Sequence, residues 1–123
     1  MLSMKKVLSK ILGSLTVTSG TLTKVSTNIS NVENASWVKY GNVCILRLTF
    51  TVGTTISNST ETLFSNLPEA YGFIRETILK ANASSGGVMA RIEVNGTTLR
   101  NAYTSGGIAA AQYEGEIVYI TKN

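Results

Sequence analysis

The longest uninterrupted run of strand-forming residues, residues 40–52 (YGNVCILRLTFTV), constrains the fold more than any other part of the chain. Cys44, Leu46, Leu48, Phe50 and Val52 share one parity, and Arg47, Thr49 and Thr51 share the other. That is the period-two signature of a strand with one packed face and one wet face. Val43 and Ile45 break the alternation, so the first half of the run is expected to be covered on both sides. A strand of about eleven residues spans roughly 36 Å and needs neighbours of matching length. It is therefore expected to be the central strand of a sheet.

Around it the chain offers many short Thr- and Val-rich segments separated by Gly and Asn, which favours an all-β domain over a helical one. Residues 21–29 place Thr23, Val25, Thr27 and Ile29 on one parity, as in a first edge strand, with Leu22 outside the pattern. Residues 28–35 are turn-rich, and residues 36–40 bring the only tryptophan, Trp37. Gly41-Asn42 has turn chemistry, so the flanking segments are either one bent strand or the arms of a hairpin. Residues 53–61 read as a polar loop, and Pro68 bars residues 62–70 from a central ladder. Residues 73–81 form a strand of mixed parity, and 84–87 (SSGG) a turn. Val88, Ala90, Ile92 and Val94 then alternate with Met89, Arg91 and Glu93, and Asn95-Gly96 predicts a type I′ turn returning through 97–103. Residues 116–121 (EIVYIT) close the chain as a strand able to pair with a central neighbour. Strands at this spacing predict one antiparallel β-sandwich of jelly-roll character over residues 16–123.

The first fifteen residues differ from everything after them. Met1, Met4, Leu8, Ile11 and Leu15 are spaced three, four, three, four, the a/d pattern of a coiled coil, with Lys5, Lys6 and Lys10 off the seam. Such a helix, about 22 Å long, is marginal alone in water and needs a partner surface. The expectation is a short stalk helix over residues 1–15, with Met4, Leu8, Ile11 and Leu15 as the seam of a homotrimer. Two other readings compete: a helix folded back on its own domain, and a secretory leader. Lys10 interrupts the apolar run and no A-x-A-like site follows, which counts against the leader. Length and charge exclude a membrane-spanning helix.

Several chemistries are excluded by absence. The chain has no His and no Asp, and Cys44 is its only cysteine, so His/Cys metal sites, Ser-His-Asp triads, Cys-His pairs and disulfides within one chain are ruled out. Cys44 sits mid-strand on the apolar parity and reads as a small buried hydrophobe. The net charge of +4 owes much to three lysines in the first ten residues, and no basic stripe interleaved with aromatics supports nucleic-acid binding. Seven glutamates remain as candidate acids, among them Glu114 and Glu116 on one strand face and Glu93 in a solvent-facing register. No motif or apolar flank marks a pair of them for glycoside hydrolysis, so they read as solvated and the chain as non-enzymatic, without cofactor or metal. Binding is the better expectation. Tyr71, Arg100, Asn101, Tyr103 and Tyr113 are residue types that recognise sugars by stacking and planar hydrogen bonding, and the tyrosines lie near predicted loop ends. Trp37 reads as core or inter-subunit packing.

The order of segments SWVKYGNVCILRLTFTV, TLFSNLPEAYGF, VMARIEVNGTTLR and a closing IVYIT resembles the C-terminal head domain of tail-fibre and receptor-binding proteins from phages and prophages of Gram-positive bacteria. The resemblance covers residues 36–122. It departs after Pro68, where AYGFIRETIL lacks the second proline common in that family. It implies a non-catalytic, homotrimeric β-sandwich at a virion tail-fibre tip, assembled in the bacterial cytoplasm, that binds host cell-surface polysaccharide or teichoic acid. The family's sugar-binding residues vary, so none is carried over. The alternatives are a structural fibre cap or trimerisation module with no receptor, and a secreted β-sandwich.

Overall fold

The structure, a computed structural model, describes residues 16–80 and 89–122. The expected stalk helix with its Met4, Leu8, Ile11 and Leu15 seam lies outside the described residues, as does the turn at 84–87. The described part is all-β and antiparallel, with strands β1 (Val17–Thr21), β2 (Thr23–Lys24), β3 (Ile29–Tyr40), β4 (Val43–Val52), β5 (Thr62–Ser65), β6 (Ile74–Lys80), β7 (Met89–Asn95), β8 (Thr98–Asn101) and β9 (Ala111–Ile120). Their order is β1-β3-β4-β9-β6-β7-β8-β5-β2. This ribbon folds into two layers, β1-β3-β4-β9 and β6-β7-β8-β5-β2. Among the described residues, the pairs Leu79↔Glu114 and Lys80↔Tyr113 join them along the β6–β9 ladder.

The run at residues 40–52 resolves into a hairpin rather than one bent strand. Tyr40 pairs with Val43 across Gly41-Asn42, and Gly41 is left-handed at φ 59°. A left-handed glycine at the first central position is the type II′ arrangement, whose twist matches that of the strands. The second hairpin uses the same device and corrects the type I′ expectation. Asn95 pairs with Thr98, so Gly96 (φ 60°) and Thr97 are the central residues, one position later than the Asn-Gly pair suggested.

β4 sits between β3 and β9, and Cys44, Leu46, Leu48, Phe50 and Val52 are all buried, as their shared parity predicts. Across the core, the Phe50 ring meets Phe64 of β5 edge-on at 5.4 Å between centroids, and Tyr113 stands beside Phe50 at 6.1 Å. Fully burying such side chains stabilises the fold by about 1.5–3 kcal/mol each, which makes this inter-layer contact a principal support.

Four expectations are corrected. The stretch expected as turn over 28–35 is strand from Ile29 on: β3 absorbs its surplus polar residues as bulges, with Ser30 and Glu33 skipped in the pairing with β4. The edge strand expected over 21–29 is broken, because the chain changes partner at Leu22. β1 pairs with β3, β2 pairs with β5, and it is Leu22 that is buried while Val25 is exposed. Residues 13–20 read in the sequence as a Gly/Ser/Thr-rich connector between helix and sheet, but from Val17 on the chain is already β1, where Gly20 gives the Trp37 indole room to cross: a Cβ there would lie 2.8 Å from the ring. The polar loop at 53–61 carries a core residue, Ile56, which bridges to Ile108 with both fully buried.

Candidate binding surface

Register assigns every outer-face residue of the first layer to a row. The first row across its strands is Val17↔Tyr40↔Val43↔Ile120, and the second is Ser19↔Val38↔Ile45↔Val118. Both are almost wholly apolar. Beyond them the chemistry changes: Thr21↔Ser36↔Arg47↔Glu116, then Asn34↔Thr49↔Glu114, then Asn31↔Thr51↔Gln112. One sheet face thus carries an apolar half and a polar half. Val43 is exposed and Ile45 half-buried, so the described residues do not supply the two-sided cover expected of that half.

The polar half is concave. A hollow of about 470 Å³ is lined by Asn34, Arg47, Thr49, Glu114 and Glu116 with the backbone of Leu48 and Gly115 between them. A second, of about 370 Å³, lies on the other side of Arg47 against Ser19, Thr21, Ser36 and Val38. The volumes lie within the range of small-molecule sites. Arg47 donates from Nε to Glu116 Oε1 at 3.1 Å, which fixes the guanidinium between the hollows. Glu33, on its bulge, accepts from Asn31 Nδ2 at 2.9 Å and Thr51 Oγ1 at 3.0 Å. Glu33 is exposed, and the slight desolvation that pushes its carboxyl up is outweighed by hydrogen bonds from Thr51, its own backbone, Asn31 and Gln112, which hold it below the usual carboxylate range. The surface therefore presents fixed donors and acceptors of both signs, the set that hydroxyl-rich ligands require.

The five sequence candidates separate. Arg100, Asn101 and Tyr103 share one neighbourhood at the end of β8, but only two of them reach the surface. Asn101 is buried, donates to the carbonyls of Ile56 and Asn58 at 3.3 and 3.0 Å, and accepts from the Tyr103 backbone N–H at 3.0 Å. Tyr103 is half-buried and donates its hydroxyl proton to Met89 O at 2.8 Å. Tyr113 is not free near a loop end: it is fully buried with its hydroxyl on Ala109 O at 2.7 Å. Tyr71 is 75% exposed and stands at the apolar end, where its N–H bonds Ile120 O at 2.9 Å.

Arg100 belongs to a charged row on the second layer's outer face, Arg75↔Glu93↔Arg100. Glu93 is 3% exposed, which corrects the solvent-facing expectation: Arg75 Nε donates to one carboxylate oxygen at 3.0 Å and Arg100 Nε to the other at 2.5 Å. Burial pushes the Glu93 carboxyl up, yet the hydrogen bonds and charges of Arg100 and Arg75 bring it below the ordinary range. Alternation sends Glu93 outward as predicted, and what covers it is the length of its neighbours' side chains. Glu61 is likewise occupied, accepting from Ser26 Oγ at 2.5 Å and Asn28 Nδ2 at 3.1 Å. Sequence reasoning did not select Arg47, Thr49 or Asn34. The signal for the first two was their outward parity on the central strand, whereas Asn34 reaches this face only through the bulges of β3.

Among the described residues no cluster of His, Cys, Asp or Glu could hold a metal ion, and no helix is long and apolar enough to cross a membrane. No protein-family profile and no curated protein matches the chain. Its fold is that of a solved phage protein. The chain is similar to the receptor binding protein (gp15) of Listeria phage PSA, with a TM-score of 0.63 and 17% identity, over 97% of this chain and 73% of that one.

Proposed function

We propose that the chain is the head of a phage or prophage tail receptor-binding protein, a non-catalytic homotrimer that holds a virion to a bacterium by binding cell-surface polysaccharide or teichoic acid. The observation that carries this reading is the likeness of fold to a phage receptor binding protein across nearly the whole chain. The ligand site is the polar half of the first layer's outer face, where Arg47, Thr49, Asn34 and Glu114 surround an open hollow. Open strand-borne sites bind weakly one at a time, and three on a common axis multiply their effect, by about 10² to 10⁴ for rigidly linked sites. A role without catalysis agrees with the carboxylates' engagements: Glu93, Glu116, Glu61 and Glu69 each bond to a cation or polar side chain.

The test is binding of the full chain to a panel of purified Gram-positive wall polysaccharides and teichoic acids. At least one polymer is expected to bind, and Arg47→Ala, with unchanged melting temperature, to weaken that binding about tenfold, the equivalent of one lost charge-assisted hydrogen bond. Binding of no polymer above background would overturn the receptor reading in favour of a structural fibre cap. Binding untouched by Arg47→Ala and Thr49→Ala would move the site elsewhere.

A further inference from the structure

The apolar half of the same face is unexplained by a ligand site. Its exposed members range from 38% for Val43 to 57% for Val17, with Tyr40, Val118 and Ile120 between them. No charged residue occupies either row. Single exposed hydrophobes need no explanation, but a contiguous patch on one sheet face marks an interaction surface. Four strands become apolar on their outer parity at the same end of the sheet, and the register, not sequence proximity, brings Val17, Val43 and Ile120 into line. Tyr71, exposed and tied through its N–H to Ile120 O, borders the patch beyond Ile120.

What covers it follows from where the chain enters. Thr16 O accepts from Gly41 N at 2.8 Å, at the mouth of the β3–β4 turn, so the described chain begins at the apolar end of the sheet. The heptad spacing of the sequence ends at Leu15, two positions before Val17, so a seam formed there would lie next in the chain to the first row. Copies that meet along that seam bring their first rows to the same axis. We propose that a second copy of this chain covers the two apolar rows, with Val17, Tyr40, Val118 and Ile120 as the buried centre of the contact and Tyr71 at its margin. This rests on the trimeric reading above. It reassigns Tyr71 from ligand to subunit contact and places the Arg47 hollow at the boundary between subunits.

The experiment is sedimentation of the full chain at micromolar concentration, with Val118→Lys and Ile120→Lys as tests and Val25→Lys, exposed on the other layer, as control. Wild type and control are expected to sediment as trimers and both test variants as monomers with unchanged far-UV circular dichroism. Val118→Thr keeps the β-branched shape and is expected to weaken assembly at least about tenfold if Lys disturbs folding. Trimers in both test variants would overturn the surface assignment while leaving the trimer intact. A monomeric wild type, with the rows bare or covered by residues 1–15 of the same copy, would overturn the proposal and the trimeric reading together. Loss of polymer binding by a variant that remains trimeric bears on the ligand reading alone.

Discussion

Glu93 accepts from Arg75 on one side and Arg100 on the other while its own side chain is almost out of contact with water. Replacing it with Gln removes the charge and leaves Arg100, itself mostly covered, without a counter-ion. The expected loss is about 2 kcal/mol by chemical denaturation, the scale of hydrogen bonds to a charged group. Because the folded-state carboxyl is held below its ordinary value of 4.5, the stabilisation is fully present above that pH and is lost as pH falls through the lowered value. Stability curves of wild type and Glu93→Gln should therefore run parallel at neutral pH and converge in acid. At Cys44, burial pushes the thiol up despite hydrogen bonding with Tyr119 and the charge of Lys39. A thiol reagent at pH 8 is expected to leave the native protein unlabelled and to modify one site after denaturation. The parity of β4 announced that burial directly. The covering of Glu93 was not legible, since it depends on which long side chains the register sets on either side.

At the scale of elements, three glycines differ in what a side chain would cost. A Cβ at Gly107 would lie 2.2 Å from the Ile56 carbonyl oxygen, an atom fixed by the paired Ile56–Ile108 hydrogen bonds at 2.9 and 3.0 Å. Backbone cannot rotate aside as a side chain can, so Gly107→Ala is expected to cost about 3 kcal/mol. Gly72→Ala, with nothing within 4 Å, should leave the melting temperature within a degree or so of wild type. Gly96 has space but a left-handed backbone, and Gly96→Ala is expected to cost about 1 kcal/mol through conformation alone. Strand existence was legible wherever alternation was clean, as in β4, β7 and the second half of β9, which begins at Ala111 and not at the expected Glu116. It failed in β3, whose Asn-rich start reads as turn until bulges are allowed for, and at Leu22, where a residue outside the local pattern is buried because the chain changes layers there. The Asn-Gly signal found its hairpin but missed the register by one residue.

Across the whole molecule, both layers share one core through Phe50, Phe64 and Tyr113. Trp37, the only tryptophan, reports on the first layer, whereas far-UV circular dichroism reports on all strands. The two signals are expected to unfold together at one denaturant midpoint. Separate midpoints would mean that the β6–β9 junction lets the layers come apart. The sandwich was visible in the spacing of strands. The division of one face into apolar and polar halves was not, because it exists only once four separate segments are set in register. Its trace was the pair Val43 and Ile45, whose broken alternation called for a second cover that the described residues do not supply.

β1 and β2 lie at opposite ends of the strand order yet follow one another in the chain, joined at Leu22. Tension entering through residue 16 would therefore run along the axis of β1, loading its five-pair ladder with β3 in shear, and then pass through Leu22 to the far layer. A tether attached there pulls on both halves of the sandwich together instead of unzipping one edge, a useful property in anything that must keep its grip while being tugged.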